Sequence, residues 1–180
     1  MLEDKLLVWK FKHSQADGLR GIYEKYKNDL LALAIALSND KTLAEDIVHD
    51  VFVSFAKQSR SLRLHSSLKS YLATAVANRV RNLKRAKAEQ TVALADIDIA
   101  DLRLKGPAQT VLSAELSSRI GSAMAQLPYD QREVIMLHLH SGLKFKQIAK
   151  SHQVSVNTIQ SRYRYGLDKL RSILNDEVKK

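Results

Sequence analysis

Cysteine is absent from this chain, and proline and glycine are scarce, with two and six residues among 180. Without cysteine the protein has neither disulfide bonds nor thiolate chemistry. Proline and glycine interrupt helices, and the apolar residues here recur mainly at steps of three and four. Both observations favour helices over strands almost throughout, so we predict an all-α protein.

Long apolar runs are also missing. The longest, residues 30–37, is a third to a half of the roughly 20 residues that a helix needs to cross a bilayer. The first residues, MLEDKLLVWKFKH, carry acids where a secretory signal has a basic leader. We therefore expect no membrane insertion and a cytoplasmic location.

Acidic residues are missing from two stretches of a basic chain, whose formal net charge is +10 and whose pI is about 9.8. Residues 51–88 contain nine Lys or Arg and no Asp or Glu, and residues 134–167 also lack acids. Such a balance favours an anionic partner, either nucleic acid or an acidic membrane surface. Net charge does not distinguish between the two.

Apolar stripes at helical spacing predict three helices in the first half of the chain. The first runs from about Asp17 to Ser38, the second contains Ile47, Val48 and Val51, and Ser66 or Ser67 caps the third. The periodicity then fails, and Gly106-Pro107 breaks any helix. We predict two small helical domains, residues 1–88 and 112–180, joined by a flexible linker at 89–111.

The second domain contains the pattern of a helix-turn-helix. A short helix around Ile148 precedes a turn at residues 152–154 and a long basic helix that Ser155 can cap. A reading helix enters the major groove and projects side chains from its N-terminal turns. Amides and guanidinium groups there pair with base edges, and hydroxyls mostly bind phosphate. The predicted DNA-binding residues are Ser155, Asn157, Thr158, Gln160, Ser161, Arg162 and Arg164.

A polar face is predicted on the second helix. Asp46, His49 and Asp50 lie at i, i+3 and i+4, and therefore share one side, opposite the apolar stripe. Neighbouring carboxylates repel each other unless a basic partner meets them. The spacing fits either a docking surface or an ordinary solvated face.

Two blocks of motifs carry a family resemblance. Residues 127–135 (LPYDQREVI), 142–149 (GLKFKQIA) and 155–162 (SVNTIQSR) resemble the promoter-binding C-terminal domain of extracytoplasmic-function (ECF) sigma factors in order and spacing. In the first half, residues 44–52 (AEDIVHDVF) are similar to the polymerase-binding helix of that family, and residues 68–79 to its promoter-melting helix. The chain is identified as a member of the ECF group of the bacterial sigma-70 family.

The resemblance implies a non-enzymatic protein that directs core RNA polymerase to specific promoters and helps to initiate transcription. Asp46, His49 and Asp50 would dock onto the clamp helices of the largest polymerase subunit. Promoter DNA is the second expected partner, and an anti-sigma factor is a further candidate. Neither a cofactor nor a metal ion is expected.

For the −10 promoter element, the resemblance assigns capture of an unstacked base to the start and middle of the third helix. Nine basic residues without an acid supply a cationic track beside that position. We expect Tyr71 to pack in the core. The predicted −10 residues are Ser66, Ser67, Lys69, Asn78 and Arg79.

The chain departs from the family pattern in its DNA-reading half. Gln153 stands where the helix-turn-helix turn usually has glycine, which costs about 1 kcal/mol if the turn needs a left-handed residue. Tyr165 replaces a usual arginine, and Gln160 a common basic residue. The last two changes remove charge from the reading helix.

The sequence also allows three alternative interpretations. A free-standing dimeric helix-turn-helix regulator accounts for the second domain but leaves the acidic face without a role. A lipid-surface role for the basic third helix is a further candidate. A metal site on His138, His140 and His152 is disfavoured, because the first two lie two apart on a helix and no acid lies near them in sequence. No phosphate loop or nucleophile motif is present.

Overall fold

The structure is a computed structural model of the chain, and it describes residues 2–58, 67–90 and 111–178. Within these residues the chain forms helices and no strands. It divides into an N-terminal unit, Met1–Ala34 with Lys41–Ala93, and a C-terminal unit, Leu94–Lys180 with Ile35–Asp40. The predicted all-α class with two helical domains is confirmed.

The N-terminal unit contains helices α1 to α4, except for residues 35–38 at the end of α2. Their bounds are Leu2–His13 (α1), Gln15–Ser38 (α2), Lys41–Lys57 (α3) and Leu68–Gln90 (α4). The apolar stripes predicted α2, α3 and α4. They did not predict α1, because residues 6–9 form a continuous apolar run without helical periodicity. Residues 91–110 of the predicted linker lie outside the described residues, and the domain boundaries stay a prediction.

A close approach of backbones joins α1 to α2. A Cβ atom added at Gly18 would lie 2.2 Å from the Cα atom of Phe11, so only glycine fits there. The Phe11 side chain is fully buried and stacks on Phe55 of α3, with ring centroids 4.6 Å apart. This contact fixes α1 to the core of the N-terminal unit.

The core of this unit is built from the stripes that the periodicity predicted. Each of α2, α3 and α4 turns one apolar side inward and leaves its charged side in water. The buried side chains include Ile22, Leu30 and Leu33 of α2, Ile47, Val51 and Phe55 of α3, and Leu68, Leu72, Val76 and Val80 of α4.

The C-terminal unit contains helices α5 to α8. Their bounds are Val111–Ala125 (α5), Tyr129–Ile135 (α6), Phe145–His152 (α7) and Val156–Val178 (α8), and a π-helical turn, Met136–His140, continues α6. Two residues after that turn, Gly142 has a φ of 70°, the left-handed conformation expected of a glycine that follows a helix end.

The long helix α8 packs along the other helices of its unit. Met124, Leu127 and Ile135 form a buried cluster, and Tyr163, Leu167, Leu170 and Ile173 pack against it. At Gly166 an added Cβ atom would lie 2.8 Å from the Ile135 side chain, so α8 and α6 are in close contact.

The short helix α7, a tight turn and the long helix α8 confirm the predicted helix-turn-helix. Gln153, between α7 and α8, has φ 56° and ψ 37°, the left-handed conformation. The turn therefore keeps the geometry that glycine usually provides, although a residue with a Cβ atom occupies it.

A buried polar group lies inside the C-terminal unit. Arg132 and Glu133 of α6 are buried, and an Arg132 guanidinium N–H donates to the Ala125 carbonyl at 3.1 Å. Burial lowers the pKa of Arg132. Nε2 of His152 lies 3.6 Å from a carboxylate oxygen of Glu133. The expectation that no acid lies near the histidines holds in sequence, but the fold places Glu133 beside His152.

Candidate nucleic-acid and protein interfaces

The predicted polar face of α3 exists. Asp46 and His49 are exposed, and Asp50 is half-exposed on the same side. The opposite side of the helix, with Ile47 and Val51, is buried. The helical spacing thus separates these polar side chains from the core.

Asp50 is also joined to α4. The guanidinium group of Arg79 donates to an Asp50 carboxylate oxygen at 2.6 Å, and both side chains are about half exposed. One member of this pair is a predicted polymerase contact and the other a predicted −10 contact. Sequence reasoning did not predict that the two groups meet.

A cleft of about 430 Å³ lies between α3 and α4. The Tyr71 ring lies on its wall at 6.0 Å from the Phe55 ring, and the Tyr71 hydroxyl donates to the Gln58 side chain at 2.8 Å. The expected packing of Tyr71 is therefore partial, since the side chain is half-buried. The polar residues that line the cleft include Asp50, Lys57, Gln58, Asn78, Arg79 and Asn82.

Ser67 and Lys69, two further −10 candidates, do not line this cleft. Ser67 caps α4, because its Oγ accepts the backbone N–H of Ser70 at 3.1 Å. Lys69 forms an ion pair of 2.7 Å with Asp29 of α2. Ser66 lies outside the described residues. The structure thus brings together Asn78 and Arg79 of the five predicted residues.

The start of α8 has the geometry of a capped helix. The Ser155 Oγ accepts the backbone N–H of Thr158 at 3.1 Å, and the two hydroxyls lie 2.8 Å apart. Ser155 and Thr158 are therefore engaged in capping. Asn157 and Gln160 are exposed, and Ser161 is half-buried.

The two arginines of α8 differ in surroundings. Arg162 forms an ion pair of 2.7 Å with Asp130 in the first turn of α6. Arg164 is exposed and lies over the ring of Tyr165, 5.0 Å from its centroid. With 56% of its surface exposed, Tyr165 is a large apolar side chain on the predicted reading helix. Arg164 is thus directed away from the core, whereas Arg162 is tied to α6.

His138 in the C-terminal unit packs against neighbouring aromatic rings and is not part of a metal-binding cluster of the described residues. Nδ1 of His138 lies 2.7 Å from the Leu143 carbonyl, and its ring stacks on Phe145 at 4.2 Å. Among residues 2–58, 67–90 and 111–178, no three His, Asp or Glu side chains are arranged to hold a metal ion.

Comparisons with known proteins follow the same division of the chain. Residues 22–90 match the family model of sigma-70 region 2, and residues 117–170 that of sigma-70 region 4. The ECF RNA polymerase sigma factor EcfG of Rhodopseudomonas palustris is 32% identical over 146 residues, which cover 81% of this chain and 78% of EcfG. The chain belongs to the ECF group of RNA polymerase sigma factors.

Other relatives align with this ECF sigma factor along most of its length. RNA polymerase sigma-H factor of Pseudomonas aeruginosa is 24% identical and covers 89% of this chain, with 88% of its own length matched. ECF sigma factor SigM of Bacillus subtilis is 24% identical, covering 87% of this chain and 95% of SigM.

Two solved structures share the fold of this sigma factor. RpoE of Bartonella quintana, solved with the anti-sigma factor NepR, superimposes with a TM-score of 0.67 at 23% identity, covering 87% of this chain and 98% of RpoE. CnrH, solved with the cytosolic domain of CnrY, gives a TM-score of 0.66 at 19% identity, covering 96% and 97%.

The sigma factor directs RNA polymerase to promoters, and its sigma-70 regions bind core polymerase and promoter DNA. The predicted recognition and function are confirmed, and the free-standing regulator is not favoured. In the part of the chain that the structure describes, every helix is too short or too polar to span a membrane.

Proposed function

We propose that three surfaces of this sigma factor divide the work of initiation. The polar face of α3 docks on polymerase, the cleft between α3 and α4 receives the melted −10 strand, and α8 reads the −35 duplex. In the proposed domain organisation, residues 1–88 and 112–180 carry these surfaces and residues 89–111 join them.

The polymerase contact is supported by the exposure of Asp46 and His49 on one side of α3, with Asp50 beside them. Acidic side chains on one exposed helix face attract a basic partner across an interface. The clamp helices of the largest polymerase subunit are the proposed partner. Asp46 is the best single test, because Asp50 also binds Arg79.

Strand capture is supported by the composition of the cleft. Single-stranded nucleic acid binds where an aromatic ring or a polar pocket lies beside cations. Tyr71, Asn78 and Arg79 bring these three kinds of group into one cleft of about 430 Å³. The capping role of Ser67 suggests that it orients the start of α4, and Lys69 extends the cationic surface toward α2.

Reading of the −35 element is supported by the exposed side of α8. Asn157 and Gln160 carry amides that can pair with base edges, and Arg164 adds a guanidinium group. Ser155 and Thr158 hold the N-terminus of the helix, where backbone N–H groups can meet a phosphate. Ser161 and Arg162 lie on the flanks of this surface.

Three further features belong to the proposal. The protein acts without catalysis of its own, as its family membership suggests, and it acts in the cytoplasm, where bacterial polymerase works. An anti-sigma factor is a proposed regulator. The support for it is that RpoE, which shares the fold, was solved with the anti-sigma factor NepR, and CnrH, which also shares it, with the cytosolic domain of CnrY.

The test is initiation in vitro with core polymerase and a promoter library, followed by sequencing of the transcripts. Initiation should require both proteins. Asp46→Ala should strongly weaken binding to core polymerase, and Asp46→Ala with Asp50→Ala should abolish it. Glu24→Ala is the matched control, because it removes an exposed acid of α2 that pairs only locally with Arg20.

Opposite results would overturn the proposal. If the double variant bound core polymerase normally, α3 would not be the docking helix. A protein that ignored polymerase and bound an operator duplex as a symmetric dimer would be a free-standing regulator. Binding to acidic vesicles without preference for DNA would favour a lipid surface instead.

A further inference from the structure

Three cations that the proposed function assigns to promoter DNA are each paired with a carboxylate on another helix. Lys69 of α4 lies 2.7 Å from Asp29 of α2. Arg79 of α4 lies 2.6 Å from Asp50 of α3. In the C-terminal unit, the guanidinium group of Arg162 lies 2.7 Å from Asp130 of α6.

These pairs differ from other ion pairs of the described residues. Arg20–Glu24, Lys41–Glu45 and Asp168–Arg171 join residues three or four apart on one helix. Lys25 joins the acids of α1 to α2. Glu133 and His152 join α6 to α7, and this pair is ionic only when the histidine is protonated. The pairs of Lys69, Arg79 and Arg162 each involve a proposed DNA cation, and they occur in both units of the chain.

Such a pair weakens the attraction between its cation and DNA. A free lysine or arginine that meets a phosphate releases a condensed counterion, and this release drives non-specific binding. A paired cation must first leave its carboxylate, which then attracts a counterion from solution. Because one counterion is released and another is taken up, the exchange gains little free energy. A paired cation therefore adds little to the affinity for DNA of arbitrary sequence.

The pairs are nevertheless weak enough to be exchanged. Their side chains are between 29% and 54% exposed, and exposed ion pairs contribute little to stability. A correctly placed phosphate, or a base edge presented by bound polymerase and an open promoter, can therefore replace the carboxylate.

We propose that Asp29, Asp50 and Asp130 are specificity-determining residues that restrain the promoter-contact cations of the free sigma factor. This inference rests on the proposed DNA roles of Lys69, Arg79 and Arg162. The three carboxylates suppress binding to arbitrary DNA despite the net charge of +10. At Asp50 the pairing also couples polymerase binding to strand capture. A polymerase group that binds Asp50 would displace Arg79, which could then bind the melted strand.

The experiment measures binding of the full chain, without polymerase, to DNA of unrelated sequence between 50 and 200 mM salt. Asp130→Asn is tested on duplex, and Asp29→Asn and Asp50→Asn on single strands. Each should bind more tightly at low salt. The advantage should shrink by about threefold over this range, since one added phosphate contact steepens the log–log salt slope by about 0.9 on duplex and about 0.7 on single strands.

Matched controls separate release of a cation from a change in net charge. Glu24→Gln changes the charge by the same amount but frees only Arg20, which pairs within α2. Asp130→Glu keeps a carboxylate and should bind DNA like the wild type. In an Arg162→Gln background, Asp130→Asn should no longer raise duplex affinity.

The inference is wrong if the three Asp→Asn variants bind DNA no more tightly than Glu24→Gln, or if Asp130→Asn acts equally with and without Arg162. Initiation by wild-type holoenzyme is measured in parallel. If holoenzyme initiates normally and the variants bind DNA no more tightly than Glu24→Gln, this inference is wrong but the proposed function stands. If holoenzyme does not initiate, the proposed function fails.

Discussion

The backbone N–H of Val154 donates to the carbonyl of Ala149 at 3.1 Å, and this bond closes α7 before the chain turns into α8. A bond from a residue to the fifth before it is typical of a helix end with a left-handed residue at the turn. Gln153 is that residue. The turn places Ser155 where it caps the reading helix, so the geometry of Gln153 matters for the DNA-binding surface.

We predict that Gln153→Gly stabilises the C-terminal unit by about 1 kcal/mol, because glycine adopts the left-handed conformation without the steric conflict of a Cβ atom. The free energy of unfolding in urea is the measurement. Lys150→Gly is the control, since it places glycine inside α7 and should lower the same quantity by about 1 kcal/mol. If both variants lost the same free energy of unfolding, Gln153 would not be a left-handed residue that glycine relieves.

Gly18→Ala is predicted to detach α1, because the new methyl group would overlap the backbone of Phe11 at 2.2 Å. Faster amide hydrogen exchange across residues 2–13 is the expected signature. Gly21→Ala is the control. Its methyl group would meet only the tip of the Leu7 side chain at 2.9 Å, which can rotate away. Similar exchange in both variants would rule out this close approach.

Acid is predicted to loosen α1 through Asp4. Burial raises the pKa of Asp4, but hydrogen bonds from Lys25 and Tyr26 outweigh burial, and the pKa lies below its usual value. A carboxyl group with a lowered pKa stabilises the folded state above its unfolded pKa, about 4, and loses this effect as the pH falls through the folded value. Fluorescence of Trp9, the only tryptophan, should therefore change in acid.

Asp4→Asn separates this effect from general acid unfolding. The variant should show loosened α1 at neutral pH and no further change in Trp9 fluorescence as the pH falls below about 4. Glu24→Gln, which leaves Asp4 in place, should keep the wild-type profile. An unchanged acid response in Asp4→Asn would assign the transition to another group.

The contact between Glu133 and His152 is predicted to stabilise the C-terminal unit. Their side chains are only 1% and 4% exposed, at a distance of 3.6 Å. Removing one member leaves a buried polar group, so Glu133→Ala should lower the free energy of unfolding by about 2–3 kcal/mol. His152→Ala should lower it as well, and the double variant should lose less than the sum. Strict additivity would show that the two groups do not interact.

Tyr165→Arg is predicted to strengthen duplex binding by this sigma factor. Tyr165 is exposed on α8 where the resemblance indicates a usual arginine. An added cation that reaches a phosphate should steepen the log–log salt slope by about 0.9. Tyr165→Gln is the uncharged control and should leave the slope unchanged. An unchanged slope in Tyr165→Arg would place this side chain outside the DNA contact.

Much of the fold could be predicted from the sequence because the stripes are local. Helices α2, α3, α4 and α8 each repeat apolar residues at three- and four-residue steps, and burial then follows. Caps could be predicted for the same reason, since a cap bonds its own first turn. Ser155 was predicted to cap α8 and Ser66 or Ser67 to cap α4, where Ser67 forms the bond. Helix α1 was not predicted, because its apolar residues are contiguous and its docking depends on Gly18 and Phe11.

The candidate site was predicted in outline and not in its contacts. Periodicity placed Asp46, His49 and the exposed amides of α8 on the correct sides of their helices. It did not indicate that Arg79 meets Asp50, or that Arg162 meets Asp130. The predicted assignment of site residues to polymerase and DNA stays a prediction for the experiments above.

The sequence by itself determined the all-α class, the two helical domains, the helix-turn-helix and the membership of the ECF sigma factors. These depend on local spacing and on motifs read in order along the chain. Only the tertiary structure decided which cations are paired with carboxylates, how α1 docks and where Glu133 lies. The reason is physical: a contact between helices depends on their crossing in space, and residues 29 apart, such as Asp50 and Arg79, carry no local signal that they will meet.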